Sequence, residues 1–415
     1  MIFNKIFSWI DALFAARTYT LRNFTAFLLV LFCIQYIPIE SRAGVSFVKV
    51  GASVLSLFVL IMYSFKATKA MMLFVGYYGF VLFAALMHPA TLRWSTILYL
   101  GLFLIMYITY YNLITIEKVF SQTFFIKLLR SLLTAYFITL VIQQIFLLVG
   151  IKIFPLINLV QIIDRGVGAN SLSYEPSSAA RIMGVAFLAL LRMLELKHNR
   201  ILSLQEIFQE VKWPVIGFLW SMLTMGSGTA FIILGVLMLN FLKRKYIMAL
   251  LPISLILVVL ISHIDFKPLT RALNGIEVFL SMDTELARET DTSAAVRIAP
   301  LINTFTKLDL GDFSTWFGHG VDAGSGWNYV ERIQNRVVGG IYEYGLLSFI
   351  VMQIIIYTCV IRSFFSLESL IWIFLLGMSF GNIPYTWGAI MIFTTVRYFQ
   401  EQKESGLLNI EESNE

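Results

Sequence analysis

Residues 94–114, WSTILYLGLFLIMYITYYNLI, contain no charged side chain. A helix of about 20 such residues crosses the hydrocarbon core of a bilayer. Inside lipid a backbone must satisfy its own N–H and C=O groups, and a helix does so within one segment. By the length criterion roughly twelve such spans recur, at 24–39, 46–64, 70–88, 94–114, 130–151, 177–195, 213–225, 227–242, 246–264, 341–362, 367–381 and 384–398. With 58% hydrophobic and 13% charged residues, the chain reads as an all-α polytopic membrane protein. The seventh and eighth spans share the hinge TMGSGTA, and the last two share GNIPYTWG. Each pair is either two short helices or one broken segment.

The start, MIFNKIFSWIDALFAARTYTLR, lacks the long apolar core and small-residue cleavage site of a signal peptide. Ile6, Trp9, Ile10, Leu13 and Phe14 fall on one helical face near Lys5, Arg17 and Arg22. This predicts an interfacial helix on the inner leaflet, the alternative being an unstructured start. With the N-terminus inside, inside segments hold about 18 Lys and Arg and the short outside loops about 6, which places both termini in the cytoplasm. That bias accounts for the formal charge of +6 and removes the case for a nucleic-acid partner. Cys33 and Cys359 fall inside spans, so neither a disulfide nor a cysteine metal site is expected. His88, His198, His263 and His319 match no zinc spacing.

A long external loop, 265–340, separates the ninth and tenth spans. Leu269, Leu273, Ile276 and Leu280 fit one amphipathic helix; Ala294, Ile298, Ile302, Phe305 and Leu308 fit another. Pro300 either kinks the second or marks its start. The expected organisation is an interfacial helix (1–23), spans one to nine (24–264), a folded external cap (265–340), spans ten to twelve (341–398) and a disordered cytoplasmic tail (399–415). No internal repeat is visible, and both broken-looking hinges lie after residue 210. This argues against an inverted-repeat transporter.

Arg165, Arg181, Arg288, Arg297, Arg332 and Arg336 fall on the external side. The planar fork of arginine suits bidentate capture of phosphate or carboxylate, so the set points to an anionic ligand. Taken singly, each reads as a partner of Glu175, Glu285, Glu289, Asp291 or Glu331. In SYEPSSAAR (173–181), Pro176 suits the first turn of a helix and makes Glu175 the N-cap. The sixth span runs inward, so its positive dipole end faces outside, and Ser177 and Ser178 share the face of Arg181. The alternative is a plain capping cluster. GSGT (226–229), with Ser227 and Thr229, opens the eighth span on the same side, as an anion site or a tight turn. FGHG sets His319 between glycines, as a general base or as a surface histidine in a turn. Arg332, Asn335 and Arg336 precede the tenth span in RIQNRVVGGIYEYGLLS.

YEPSSAAR at a helix mouth, GSGT opening a later span, and a long external loop with an arginine, GHG and an asparagine before E-x-G-L-L form a combination. It resembles the bacterial O-antigen and capsular polysaccharide polymerases (Wzy-type), which are related to the O-antigen ligases. The resemblance covers about residues 160–350 in motif and the whole chain in topology. It implies a GT-C-like membrane glycosyltransferase in the bacterial inner membrane, acting on oligosaccharide repeats linked to undecaprenyl pyrophosphate. The family glutamate corresponds to Glu175, the loop arginine to Arg297, the histidine to His319 and the asparagine to Asn335. Gln334 stands where the family often has histidine. Glu175, ahead of His319, is the expected base; Arg181, Arg297 and Arg336, helped by Arg165 and with Arg332 nearby, are expected to hold pyrophosphate. No cofactor is expected, and the outside residues form no metal-like array. A chain-length regulator and a flippase are implied as partners by the family alone. The rival readings are an O-antigen ligase and, from another class, a transporter or flippase of lipid-linked sugars.

Overall fold

The computed structural model describes residues 2–35, 46–151, 153–154, 158–161, 169–241, 277, 280–281, 292–377 and 384–406. Helices dominate it. In chain order they are α1 (Ile2–Cys33), α2 (Phe47–Tyr63), α3 (Lys69–Met87), α4 (Trp94–Thr115), α5 (Gln122–Leu148), α6 (Pro176–His198), α7 (Leu204–Glu210), α8 (Lys212–Thr224) and α9 (Gly228–Met238). After residue 291 come α10 (Thr292–Thr306), α11 (Phe313–Phe317), α12 (Tyr329–Asn335), α13 (Ile341–Ile355), α14 (Leu367–Ile371) and α15 (Pro384–Glu404). The segments Lys69–Met87, Trp94–Thr115, Gln122–Leu148 and Val338–Val360 are each long and apolar enough to cross a membrane. The protein is a membrane-embedded helical bundle. Several starts are capped by a hydroxyl that takes up an orphan amide: Ser46 accepts from Lys49, Thr68 from Met71 and Ser121 from Phe124.

Side-chain bridges fix the direction of each helix. Asn112 at the end of α4 donates to the Ser64 carbonyl after α2, while Thr68 before α3 donates to Asn112. Gln122 starts α5 beside Met193 of α6, and Gln143 at its far end meets Ser171. In α15, Tyr385 meets Arg181 and Lys403 meets the Leu196 carbonyl, so α6 and α15 run parallel. The bundle therefore has two ends. One carries Glu175, Thr224–Gly228 and Tyr385; the other carries Arg17, Glu117, Glu210, Glu368 and Arg397.

The centre is aromatic. Trp387 of α15 is fully buried, with the rings of Phe74, Tyr107 and Phe103 at 5.9, 5.9 and 6.3 Å. Hydroxyls inside this core are paired, Tyr107 with Thr394 at 2.7 Å and Tyr110 with Thr395 at 2.6 Å. An unpaired hydroxyl in apolar surroundings costs about 1–3 kcal/mol, and these pairs avoid that cost. Small residues of α6 (Ala179, Ala180, Gly184, Ala186, Ala189) let neighbouring helices approach closely.

The structure departs from the sequence-based expectations in several places. The first 23 residues and the first span form one continuous helix, ending at Cys33 rather than 39. No break separates them because residues 17–24 contain neither glycine nor proline, the two strong helix breakers. The fifth span starts at Gln122, where Ser121 supplies the cap. A two-stranded antiparallel ribbon, Ile153–Phe154 with Asn158–Gln161, interrupts an otherwise helical chain. The TMGSGTA hinge joins two separate helices, since Gly226 at φ 70° turns the chain back. Pro300 lies inside α10 rather than at its start. The last helix runs past 398 to Glu404, supported by Arg397–Glu401 at 2.7 Å and by Arg362–Glu404. The span expected at 246–264 and most of the first loop helix lie outside the described residues.

Candidate functional site

The mouths of α6 and α9 open at the same end of the bundle. Gly184 of α6 packs on Ile233 of α9. Further along both helices, Arg192 Nη1 donates to Asn240 Oδ1 at 3.1 Å. Contacts advance in the same direction on both, so the helices run parallel and EPSS and GSGT share an end. Their positive dipole ends face the same way.

Glu175 is the N-cap of α6 by its backbone angles, φ −134° and ψ 149°, but its side chain caps no amide. Its Oε2 accepts from Ser177 Oγ at 3.1 Å instead. Glu175 is exposed, while Ser177 and Ser178 are buried. The segment before it is held firmly. Ser171 N–H donates to Gln143 Oε1 at 2.6 Å, Tyr174 N–H to Gln35 Oε1 at 3.2 Å, and Tyr136 hydroxyl to the Cys33 carbonyl at 2.5 Å. Across the mouth, Ser227 is the N-cap of α9, and Ser227 and Thr229 are buried.

Arg181 does not join the serines. Its Nη1 donates to the Tyr385 hydroxyl, and its guanidinium lies 5.4 Å from that ring centre. Its Nε is buried without a partner. Two other buried polar atoms at this end are also unsatisfied, Asn170 Oδ1 and Thr386 Oγ1. Sequence reasoning missed Tyr385. The available signal was PYTW (384–387), which repeats the opening of α6: proline in the first turn, then polar residues.

His319 belongs to a second cluster. Its backbone N–H donates to the Tyr342 carbonyl at 2.8 Å, and its ring stacks on Tyr342 at 4.1 Å. Gly318 and Gly345 have φ of 80° and 83°, and a Cβ on either would strike backbone of the other's segment. Gly320, at φ 100°, leaves no room for a Cβ against Thr91 and His88. The glycines thus pin the histidine loop to the start of α13 and the end of α3. Nearby in sequence, Asn303 of α10 donates to the Ile333 and Arg336 carbonyls at 2.7 and 2.9 Å, tying α10 to α12. Arg332 Nε donates to the Trp327 carbonyl at 3.1 Å, and Asn335 is exposed at the end of α12. The aromatics of this segment make internal contacts: Trp316 donates to the Leu310 carbonyl, Phe317 meets Phe83, and Trp327 meets Tyr342. Arg165 and the Arg297 side chain lie outside the described residues; the Arg297 backbone is in α10.

Two groupings result. Glu175, Ser177 and Ser178 open α6, with Arg181 turned toward Tyr385; His319 sits with Tyr342. Among the described residues no hydrogen bond or ion pair links the two groups. The ion pairs are distributed unevenly. At the far end Arg17, Arg130, Arg192, Arg200, Arg362 and Arg397 each meet a carboxylate. At the Glu175 end Arg93 pairs with Asp322 at 3.2 Å. Arg181, Arg332 and Arg336 have no carboxylate partner among the described residues, and Glu331 caps α12 with Asn328 instead. No three His, Cys, Asp or Glu side chains gather among the described residues as a metal set would.

No family model, no curated protein and no solved structure matches the chain.

Proposed function

We propose that this protein is a membrane polysaccharide polymerase of the type its motifs resemble. It joins undecaprenyl-pyrophosphate-linked oligosaccharide repeats at the external face of a bacterial inner membrane. The reading includes about twelve spans, cytoplasmic termini and residues 265–340 as an external cap. One observation supports it: Arg181, six residues after the exposed Glu175 on α6, and Arg332 and Arg336 of the 329–336 segment have no carboxylate partner among the described residues. Arginines without an acidic partner among the described residues fit an anionic substrate.

In the proposed reaction the terminal hydroxyl of one lipid-linked repeat attacks the anomeric carbon of the growing chain. A glycosidic C–O bond forms, and the anomeric C–O bond to pyrophosphate breaks. The leaving pyrophosphate takes the bonding electrons and the Glu175 carboxylate takes the hydroxyl proton. Arginine charge stabilises the departing group, so metal-independent catalysis is the expectation.

The test is reconstitution. Full-length protein in liposomes, given only lipid-linked repeat units, should produce a ladder of longer lipid-linked glycans. Glu175→Gln should abolish the ladder at unchanged protein abundance. An authentic repeat that yields no ladder would overturn the function; a ladder that survives Glu175→Gln would overturn the base.

A further inference from the structure

We propose that Tyr385, Thr386 and Arg181 form the phosphoryl-binding element of this protein, with Tyr385 as the positioning residue for the guanidinium. The inference rests on the reading above, because it names residues that would hold the pyrophosphate of that substrate. It starts from a count of donors. Arginine has only N–H donors, so in its contact with Arg181 Nη1 the Tyr385 oxygen is the acceptor. The phenolic proton of Tyr385 is then left to donate, and no described residue accepts it. Arg181 Nε carries a second N–H that is buried and unpartnered. Thr386, fully buried, contributes a third polar group with no partner.

Buried polar groups are almost always paired, so the open Nε–H of Arg181 and the remaining phenolic proton of Tyr385, on two side chains in contact, call for a missing partner. Two N–H and O–H donors beside a permanent positive charge call for an anion acceptor. The open atom of Asn170 is an acceptor and belongs to no such set. Geometry adds to the argument. Arg181 lies in the second turn of α6 and Tyr385 in the first turn of α15, and these helices run parallel. Both dipoles therefore favour negative charge at this point. Tyr385 is only 4% exposed, so its ring is fixed by packing and holds the guanidinium in one orientation. A fixed fork loses less entropy on binding a phosphate than a free one.

The experiment measures binding by the full chain in nanodiscs. The probes are undecaprenyl pyrophosphate, undecaprenol, inorganic pyrophosphate and phosphatidic acid. Undecaprenyl pyrophosphate should bind and undecaprenol should not. Inorganic pyrophosphate binding as tightly as the lipid would mark a free-phosphate site and overturn the lipid-linked assignment, as would preference for phosphatidic acid. Tyr385→Phe keeps the ring and should weaken undecaprenyl pyrophosphate binding about tenfold, the loss produced by removing one hydrogen bond to a charged group. Thr386→Val should weaken it in the same direction, and Arg181→Gln should abolish it. Melting temperature should stay unchanged for Tyr385→Phe and Thr386→Val, which a merely structural role would not allow. Wild-type affinity in Tyr385→Phe overturns the proposal, as does wild-type protein that binds no phosphorylated probe. Tight binding without any glycan ladder overturns the polymerase reading and leaves the phosphoryl site standing.

Discussion

Gly184 of α6 lies so close to Ile233 of α9 that a Cβ at position 184 would sit 2.5 Å from the isoleucine Cγ2. This contact sets the separation of the two helices whose mouths build the candidate site. Gly184→Leu should force them apart, destabilising the protein by about 1–3 kcal/mol as overpacking does and reducing glycan synthesis. Thermal melting in detergent checks the first effect. An unchanged midpoint would show that the interface adapts.

Arg192 of α6 bridges Glu368 of α14 at 2.7 Å and Glu195 at 2.8 Å, with little exposure on any of the three. Removing Glu368 leaves Arg192 with Glu195 alone. Glu368→Ala should cost about 1–3 kcal/mol, whereas Arg192→Met with Glu368→Met should recover part of it. A double-mutant cycle by thermal unfolding measures this; additive losses would refute a coupled pair.

Gly318 and Gly345 interlock at positive φ, each without space for a side chain. Gly318→Ala carries a backbone strain of about 1–3 kcal/mol plus a collision with the Glu343 carbonyl. It should release the His319 loop, read as faster proteolysis between 313 and 345 and lower activity. Protection equal to wild type would mean the loop is held by other contacts.

Outside the spans, Glu206 caps α7 through Ser203. Bonds from the Ser203 backbone and hydroxyl and from Arg200 hold its carboxyl down at about 2, against an ordinary 4.5. A lowered folded value means the cap stabilises fully above about pH 4.5 and is lost as pH falls toward 2. Amide exchange of residues 204–210 should therefore accelerate over that window in wild type. Glu206→Gln should flatten the dependence; a persistent slope would assign it to another group.

Much of this architecture is legible in local windows. Pro176 announces α6, and the uncharged run at 94–114 announces α4, because helix-start chemistry and apolar length act within one helix turn or one bilayer thickness. The missed features have other causes. No local signal separates an interfacial helix from a continuous one when no glycine or proline lies between them, as at 17–24. The aromatics between 313 and 330 leave open from sequence which partners they pack on: Trp327 packs on Tyr342 and Phe317 on Phe83. Composition does not reveal which ring face is already covered.

The sequence by itself determined the class of protein, the start of α6 at Pro176 and the sign of the charge along the chain. All of these follow from backbone hydrogen bonding in lipid and from side chains a few residues apart. Only the tertiary structure decided that Arg181 faces Tyr385, a residue 204 positions away, instead of the serines beside it. It also decided that Arg17, Arg130, Arg192, Arg200, Arg362 and Arg397 at one end meet carboxylates, while Arg181, Arg332 and Arg336 meet none among the described residues. Lateral choice among similar apolar helices depends on how side chains interlock, as Gly184 does with Ile233, and that shape matching leaves no periodic trace in a single chain.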